Sequence, residues 1–159
     1  MDFKQAWKAV GNPNPGNTSW SADVNERPVF TAWRRRDFGF DKQARRSTFF
    51  SPPGDWIERG EGQSYLRRAK TAMKNSWICR LIVLEGKEPW EQSASAGFDE
   101  VLYAVRFTEV KDDGTIFGET FTRSEFLAST SAESRSDPSQ AVEFRRTEVN
   151  RPLVTWATC

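Results

Sequence analysis

The stretch Ile78-Cys79-Arg80-Leu81-Ile82-Val83-Leu84 constrains the fold more than any other part of the chain. Six of its seven residues are apolar, and only Arg80 is charged. A run this short and this rich in β-branched side chains predicts a strand over residues 77–84. It has no polar alternation, so both its faces must be covered, which makes it central in its sheet. Residues 101–110 predict a strand of a different kind. Val101, Tyr103, Val105 and Phe107 alternate there with Leu102, Ala104, Arg106 and Thr108, the period-2 pattern of a pleated strand. Lys111-Asp112-Asp113-Gly114 follows as a hairpin turn. Residues 115–122 then return antiparallel.

Elsewhere the signals are more local. Phe3, Ala6, Trp7 and Val10 recur at helical spacing, so residues 1–10 predict a short helix. Gly11-Asn12-Pro13-Asn14-Pro15-Gly16-Asn17 stops it. Residues 28–33 suit a strand around the β-prone Val29-Phe30-Thr31. The basic stretch 34–46, interrupted by Gly39, fits a strand pair or an extended loop. Ser51-Pro52-Pro53-Gly54-Asp55 is a turn signal, with Ser47-Thr48-Phe49-Phe50 before it and a short strand at Trp56-Ile57 after it. Gly60-Glu61-Gly62 reads as a tight loop. Residues 64–75 read as a helix capped by Ser64, with Leu66, Ala69, Ala72 and Met73 as its apolar stripe. Residues 129–139 read as a flexible loop, 141–149 as a strand, and 153–156 as a closing segment.

Strands separated by turns, with two or so helices, define an α+β chain on a curved, mainly antiparallel sheet. No internal repeat or second domain is visible. Residues 1–159 are therefore expected to form a single domain, with 1–17 as a helical arm and linker and 18–159 as the body. That length buries a core without disulfide staples. Seven Trp and twelve Phe supply much of it.

The chain contains no histidine. Ser-His-Asp, Cys-His and His-ligated metal chemistry are therefore excluded. Cys79 and Cys159 are its two cysteines, too few for a Cys-rich zinc site. Cys79 reads as a small core hydrophobe. No catalytic residues, metal or cofactor are expected. No apolar run approaches the about 18 residues that a membrane helix needs, and the start is not a signal peptide. The expectation is a cytoplasmic protein without a membrane partner.

Charge is divided along the chain. Residues 27–80 hold 13 Lys/Arg against five acids, a balance of +8, and residues 81–159 hold eight against 14, a balance of −6. Such asymmetry suggests a basic and an acidic face. Arginine dominates the basic part, and its planar fork grips phosphate bidentately. Two readings of these arginines stay open: anion contacts, or solvated groups paired with the acids of the second half.

A family resemblance bears on that choice. Ile57-Glu58-Arg59-Gly60-Glu61-Gly62-Gln63, a basic helix, Trp77-Ile78-Cys79-Arg80-Leu81-Ile82-Val83 and Val101-Leu102-Tyr103-Ala104-Val105-Arg106-Phe107 follow in order. This succession resembles the DNA-reading domains fused to HNH nucleases in modification-dependent restriction systems. Relatives of those domains include the SRA-like and PUA-like readers of modified bases. The resemblance covers residues 57–110. Where that family often continues with Gly-Asp, this chain has Ser64-Tyr65, and without histidine it holds no HNH nuclease. The resemblance implies a partly closed, PUA/SRA-like barrel and a non-catalytic reader of DNA.

A reader needs cations for phosphate and an aromatic recess for a base. The candidates for the first are Arg34, Arg35, Arg36, Arg45, Arg46, Arg59, Gln63, Arg67 and Arg68. Those for the second are Trp33, Trp56, Tyr65 and Phe50, each of which also suits a core. Two other readings stand beside this one. Small, Trp-rich chains with opposed charges suit a protein-interaction module, such as an immunity or inhibitor protein in a microbial conflict system. Ser129-Thr130-Ser131 resembles the Ser-Thr-Ser motif of ADP-ribosyltransferases, with Arg80 as the strand arginine and Glu143 as the glutamate, although no Glu-x-Glu follows.

Overall fold

A computed structural model of the protein describes residues 1–12, 20–85 and 95–135. In chain order the elements are α1 (Phe3–Ala9), β1 (Ser21–Val24), β2 (Arg27–Trp33), β3 (Phe38–Asp41), β4 (Arg46–Ser51), a 3-10 turn (Asp55–Glu58), α2 (Gly60–Lys74), β5 (Cys79–Glu85), β6 (Ser95–Gly97), β7 (Ala104–Val110), β8 (Ile116–Phe121) and α3 (Arg123–Arg135). By its contacts the chain divides into Met1–Phe126 and Leu127–Cys159. Among the described residues, every strand lies in the first unit. The second is described over residues 127–135, which are helical.

The strands form one α+β sheet in the order β1-β2-β5-β7-β8-β4-β3, with β6 added alongside β5. Every pairing is antiparallel except β2 with β5. The sheet is strongly curled, and chain length requires it. In a flat sheet β2 and β3, five strand spacings apart, would lie about 24 Å from one another. The link of residues 34–37 joins Trp33 to Phe38, and those five Cα steps reach about 18 Å at most. Among the described residues the ladder nevertheless stays open, ending at β1 and β3. The curl is therefore only partly closed, as expected, and no hydrogen-bonded strands join its two edges among the described residues. The link turns back on itself: Arg36 and Asp37 donate their amides to the Trp33 carbonyl at 3.1 and 2.9 Å. Its two ends each add one bond to the flanking ladders, Arg34 donating its amide to the Leu84 carbonyl at 3.1 Å and Asp37 accepting the Phe50 amide at 2.9 Å, and its middle bridges the seam.

Two cores lie on the two sides of β2 and β5. Inside the curl, α2 packs Tyr65, Ala69 and Ala72 against Phe30, Phe49, Leu81, Val105, Phe107 and Ile116. Phe30 meets Phe107 and Tyr65 edge-on with centroids 4.9 Å apart, and Phe49 meets Phe107 at 5.4 Å, the edge-to-face geometry aromatic rings prefer. On the other side α1 buries Ala6, Trp7 and Val10 against Val29, Ile82, Leu84 and Ala96. Leu81 and Val83 thus point one way and Ile82 and Leu84 the other, all buried. This is why the sequence of β5 shows no alternation.

The structure corrects several local expectations. Trp56-Ile57 lies in the 3-10 turn rather than in a strand. Gly60-Glu61-Gly62 forms the first turn of α2, not a loop, and Arg59 rather than Ser64 occupies its N-cap position. Of the loop expected at 129–139, residues 129–135 belong to α3 instead, and 136–139 lie outside the described residues. The expected strand at 101–110 begins at Ala104 because the Asp99 carboxylate takes the amides of Val101 and Leu102, both at 2.8 Å. The hairpin turn is present, with Gly114 at φ +96°, a region that favours glycine. β1 and β6 were not foreseen. The strand expected at 141–149 and the closing segment at 153–156 lie outside the described residues.

Candidate nucleic-acid interface

α2 organises the candidate surface. Its inward side consists of Gly62, Tyr65, Ala69 and Ala72, all buried. The alanines let the helix approach the sheet closely, and the Tyr65 hydroxyl donates to the Thr31 carbonyl at 3.1 Å. With that side committed, Arg59, Gln63, Arg67, Thr71 and Lys74 are exposed. At about 100° per residue these five fall within roughly a third of the helix circumference. From Arg59 to Lys74 the stripe runs about 22 Å, with Arg59 and Arg67 about 12 Å apart along the axis. Arg59, Arg67 and Lys74 make no ion pair among the described residues. The lone acid of the helix, Glu61, accepts the Trp20 amide at 3.3 Å.

The nine candidate polar residues fall into three groups. Arg59, Gln63 and Arg67 share the exposed stripe, whereas Arg68 turns inward. Arg68 donates to the carbonyl and hydroxyl of Ser21 at 3.0 Å, and lies 3.4 Å from Asp23. The second group, Arg34, Arg35 and Arg36, sits on the link between β2 and β3. Arg34 is held by Glu85 and by Asp99, the latter at 2.7 Å, so two second-half acids do claim one of these arginines. The same hydrogen bonds raise the Arg34 pKa. Arg36 pairs with its neighbour Asp37 at 2.9 Å, and Arg35 is exposed without an ion pair among the described residues. The third group lies at the far end of β3. Arg45, at φ +52°, is exposed in the turn. Arg46 donates to the Thr120 carbonyl at 2.7 Å, stacks on Phe121 at 5.4 Å and lies 3.7 Å from Glu125.

The four aromatic candidates do not share one recess. Tyr65 is buried in the inner core, and Trp56 packs edge-on against it at 5.9 Å while donating from Nε1 to the Pro52 carbonyl. Trp33 packs against the other core. Phe50 lies on the outer face of β4, 37% exposed, its ring 5.1 Å from that of Phe117 on β8. Of the residues in the enzymatic reading, Arg80 is half-buried and donates to the Val10 carbonyl at 3.1 Å. Ser129, Thr130 and Ser131 lie in α3, and Glu143 falls outside the described residues.

Asp37 was not among the candidates. It lies on the β2–β3 link, only 3% exposed. Its carboxylate accepts the Trp33 amide at 2.7 Å and Arg36 Nε at 2.9 Å. Burial pushes its pKa up, against the pull of Arg36 and of the Trp33 amide. Burial likewise raises the Tyr65 phenol well above its ordinary value, with Asp37 adding to the shift. A single acid within Arg34-Arg35-Arg36-Asp37 offers no signal of burial until the sheet curls over it. Lys74 was legible as a basic residue. That Arg59 and Gln63 continue its stripe became clear only once α2 was seen to start at Gly60.

No protein-family model matches the chain, and neither a curated protein nor a solved structure matches it. No helix among the described residues is long and apolar enough to cross a membrane.

Proposed function

We propose that the chain is a nucleic-acid-binding module that engages the phosphate backbone through the exposed face of α2, without catalysis. One observation carries this reading: Arg59, Gln63, Arg67 and Lys74 share a solvent-facing stripe whose three cations make no ion pair among the described residues. A helix displaying unneutralised cations at this spacing can contact several phosphates at once, and each contact releases counterions. The resemblance to readers of modified DNA makes duplex DNA the first ligand to test, with reading of a modified base as the finer proposal. Arg35, Arg36, Arg45 and Phe50 are the exposed candidates for contacts beyond α2.

The test is a fluorescence-anisotropy titration of a 20-base-pair duplex against salt, with plain, methylated and single-stranded DNA and RNA compared. Neutralisation of three phosphates predicts a slope of log K on log salt of about −2.7 for duplex. Replacing Arg59, Arg67 and Lys74 together by alanine should weaken binding to every sequence and flatten the slope. Absence of binding at low salt, or binding indifferent to the triple replacement, would refute the proposal.

A second reading, a protein-interaction module, is favoured by the exposed Phe50–Phe117 pair on the outer face of β4 and β8. It predicts a complex that survives nuclease treatment and is lost on Phe117→Asp.

A further inference from the structure

We propose that the Arg35–Arg36 pair on the β2–β3 link is an anion contact coupled to proton uptake by Asp37. The inference rests on the nucleic-acid reading above and adds a regulation to it.

The geometry sets one guanidinium between two environments. Inward, Arg36 donates from Nε to Asp37 at 2.9 Å and from Nη2 at 3.4 Å. Outward, its side chain is 44% exposed, beside the exposed Arg35. Arg36 is the cation that offsets the buried carboxylate. A phosphate drawn to this pair brings negative charge close to Asp37 and shares the guanidinium donors that Asp37 uses. Water screens little of that effect in a buried site. Losing part of its compensation, the carboxylate favours its neutral form. One proton from solvent then adds to a carboxylate oxygen, and no other bond changes. The Trp33 amide, at 2.7 Å from Oδ2, can still be accepted by the protonated group.

The groups around Asp37 leave it as the one that titrates. Arg36 faces it from its own link. The Tyr65 phenol faces it from α2, and burial holds that phenol neutral. Tyr65 in turn faces Cys79 of β5. From β4 comes the Phe50 amide, which donates to the Asp37 carbonyl at 2.9 Å and carries no charge.

The experiment follows the Asp37 carboxyl carbon of the full chain by NMR across pH, with and without inorganic tripolyphosphate. The titration midpoint should rise on saturation with tripolyphosphate. Affinity for tripolyphosphate should grow about threefold per pH unit on acidification, as for uptake of half a proton. Arg36→Gln should raise the midpoint without ligand and remove the effect of the ligand. A midpoint unmoved at saturation, or moved equally in a chain lacking both arginines, overturns the coupling. If tripolyphosphate binds without moving Asp37 while duplex binding still depends on α2, the coupling fails and the nucleic-acid reading survives. If neither ligand binds, both fail.

Discussion

An alanine at position 62 would set its Cβ 1.8 Å from the Trp56 carbonyl oxygen and 3.1 Å from a carbon of the Trp56 ring. Ordinary contact begins at 3.4 Å, so the 3-10 turn and the start of α2 would have to part by about 1.6 Å. Trp56 sits between Tyr65 and Trp20, with ring centroids at 5.9 and 6.3 Å. Moving it loosens both contacts, each worth about 0.5–1.5 kcal/mol beyond buried area. Overpacking of this kind costs about 1–3 kcal/mol. The helix-propensity gain of alanine over glycine returns at most about 1 kcal/mol. A net loss of about 2 kcal/mol or more follows, equivalent to a fall in Tm of roughly 4–8 °C for a chain this size. Gly60 is the internal control. It lies in the same helical turn, and a Cβ there meets nothing within 4 Å. Gly60→Ala should leave Tm unchanged or raise it by a few degrees, about the propensity gain alone. Thermal and urea denaturation followed by tryptophan fluorescence measures both variants. Equal Tm values for the two, or a Gly62→Ala chain as stable as the parent, would refute the close approach of α2 to Trp56.

Two further outcomes concern the core and the carboxylates. Phe107→Ala, at the centre of the inner aromatic cluster, should cost about 3–5 kcal/mol, whereas Phe50→Ala, at a partly exposed ring, should cost under about 1 kcal/mol. Urea midpoints separate the two. Asp37 and Asp99 should respond to acid in opposite ways. The raised pKa of Asp37 means that the folded state binds its proton more tightly than the unfolded state. The parent should therefore gain stability relative to Asp37→Asn as pH falls from neutrality towards about 4. For Asp99 burial acts to raise the pKa, but the Leu102 and Val101 amides together with Arg34 outweigh it and hold the carboxyl low. The advantage of the parent over Asp99→Asn should be full at neutral pH and shrink as pH falls below about 4. Paired denaturation curves across pH check both, and parallel curves would contradict them.

Local pattern was enough for the elements whose hydrophobic period is unbroken. Ile78-Cys79-Arg80-Leu81-Ile82-Val83-Leu84 could only be a doubly covered strand, and Lys111-Asp112-Asp113-Gly114 could only turn the chain back. The apolar stripe of α2 likewise dictated which of its residues face the sheet, and so left Arg67 and Lys74 to solvent. Pattern failed where a contact distant in sequence settled the conformation. Gly60 and Gly62 read as a loop because glycine disfavours helices. Gly62 is helical because only a residue without a Cβ fits against the Trp56 carbonyl. The arginines of the first half were indistinguishable in sequence. Folding separated them by placing Glu85 and Asp99 beside Arg34, Ser21 and Asp23 beside Arg68, and nothing of the kind among the described residues beside Arg59 or Arg67. The burial of Asp37 belongs to the same class of fact. It arises because four residues must bridge two strands that lie five places apart in the sheet, and that requirement exists only once the sheet has curled.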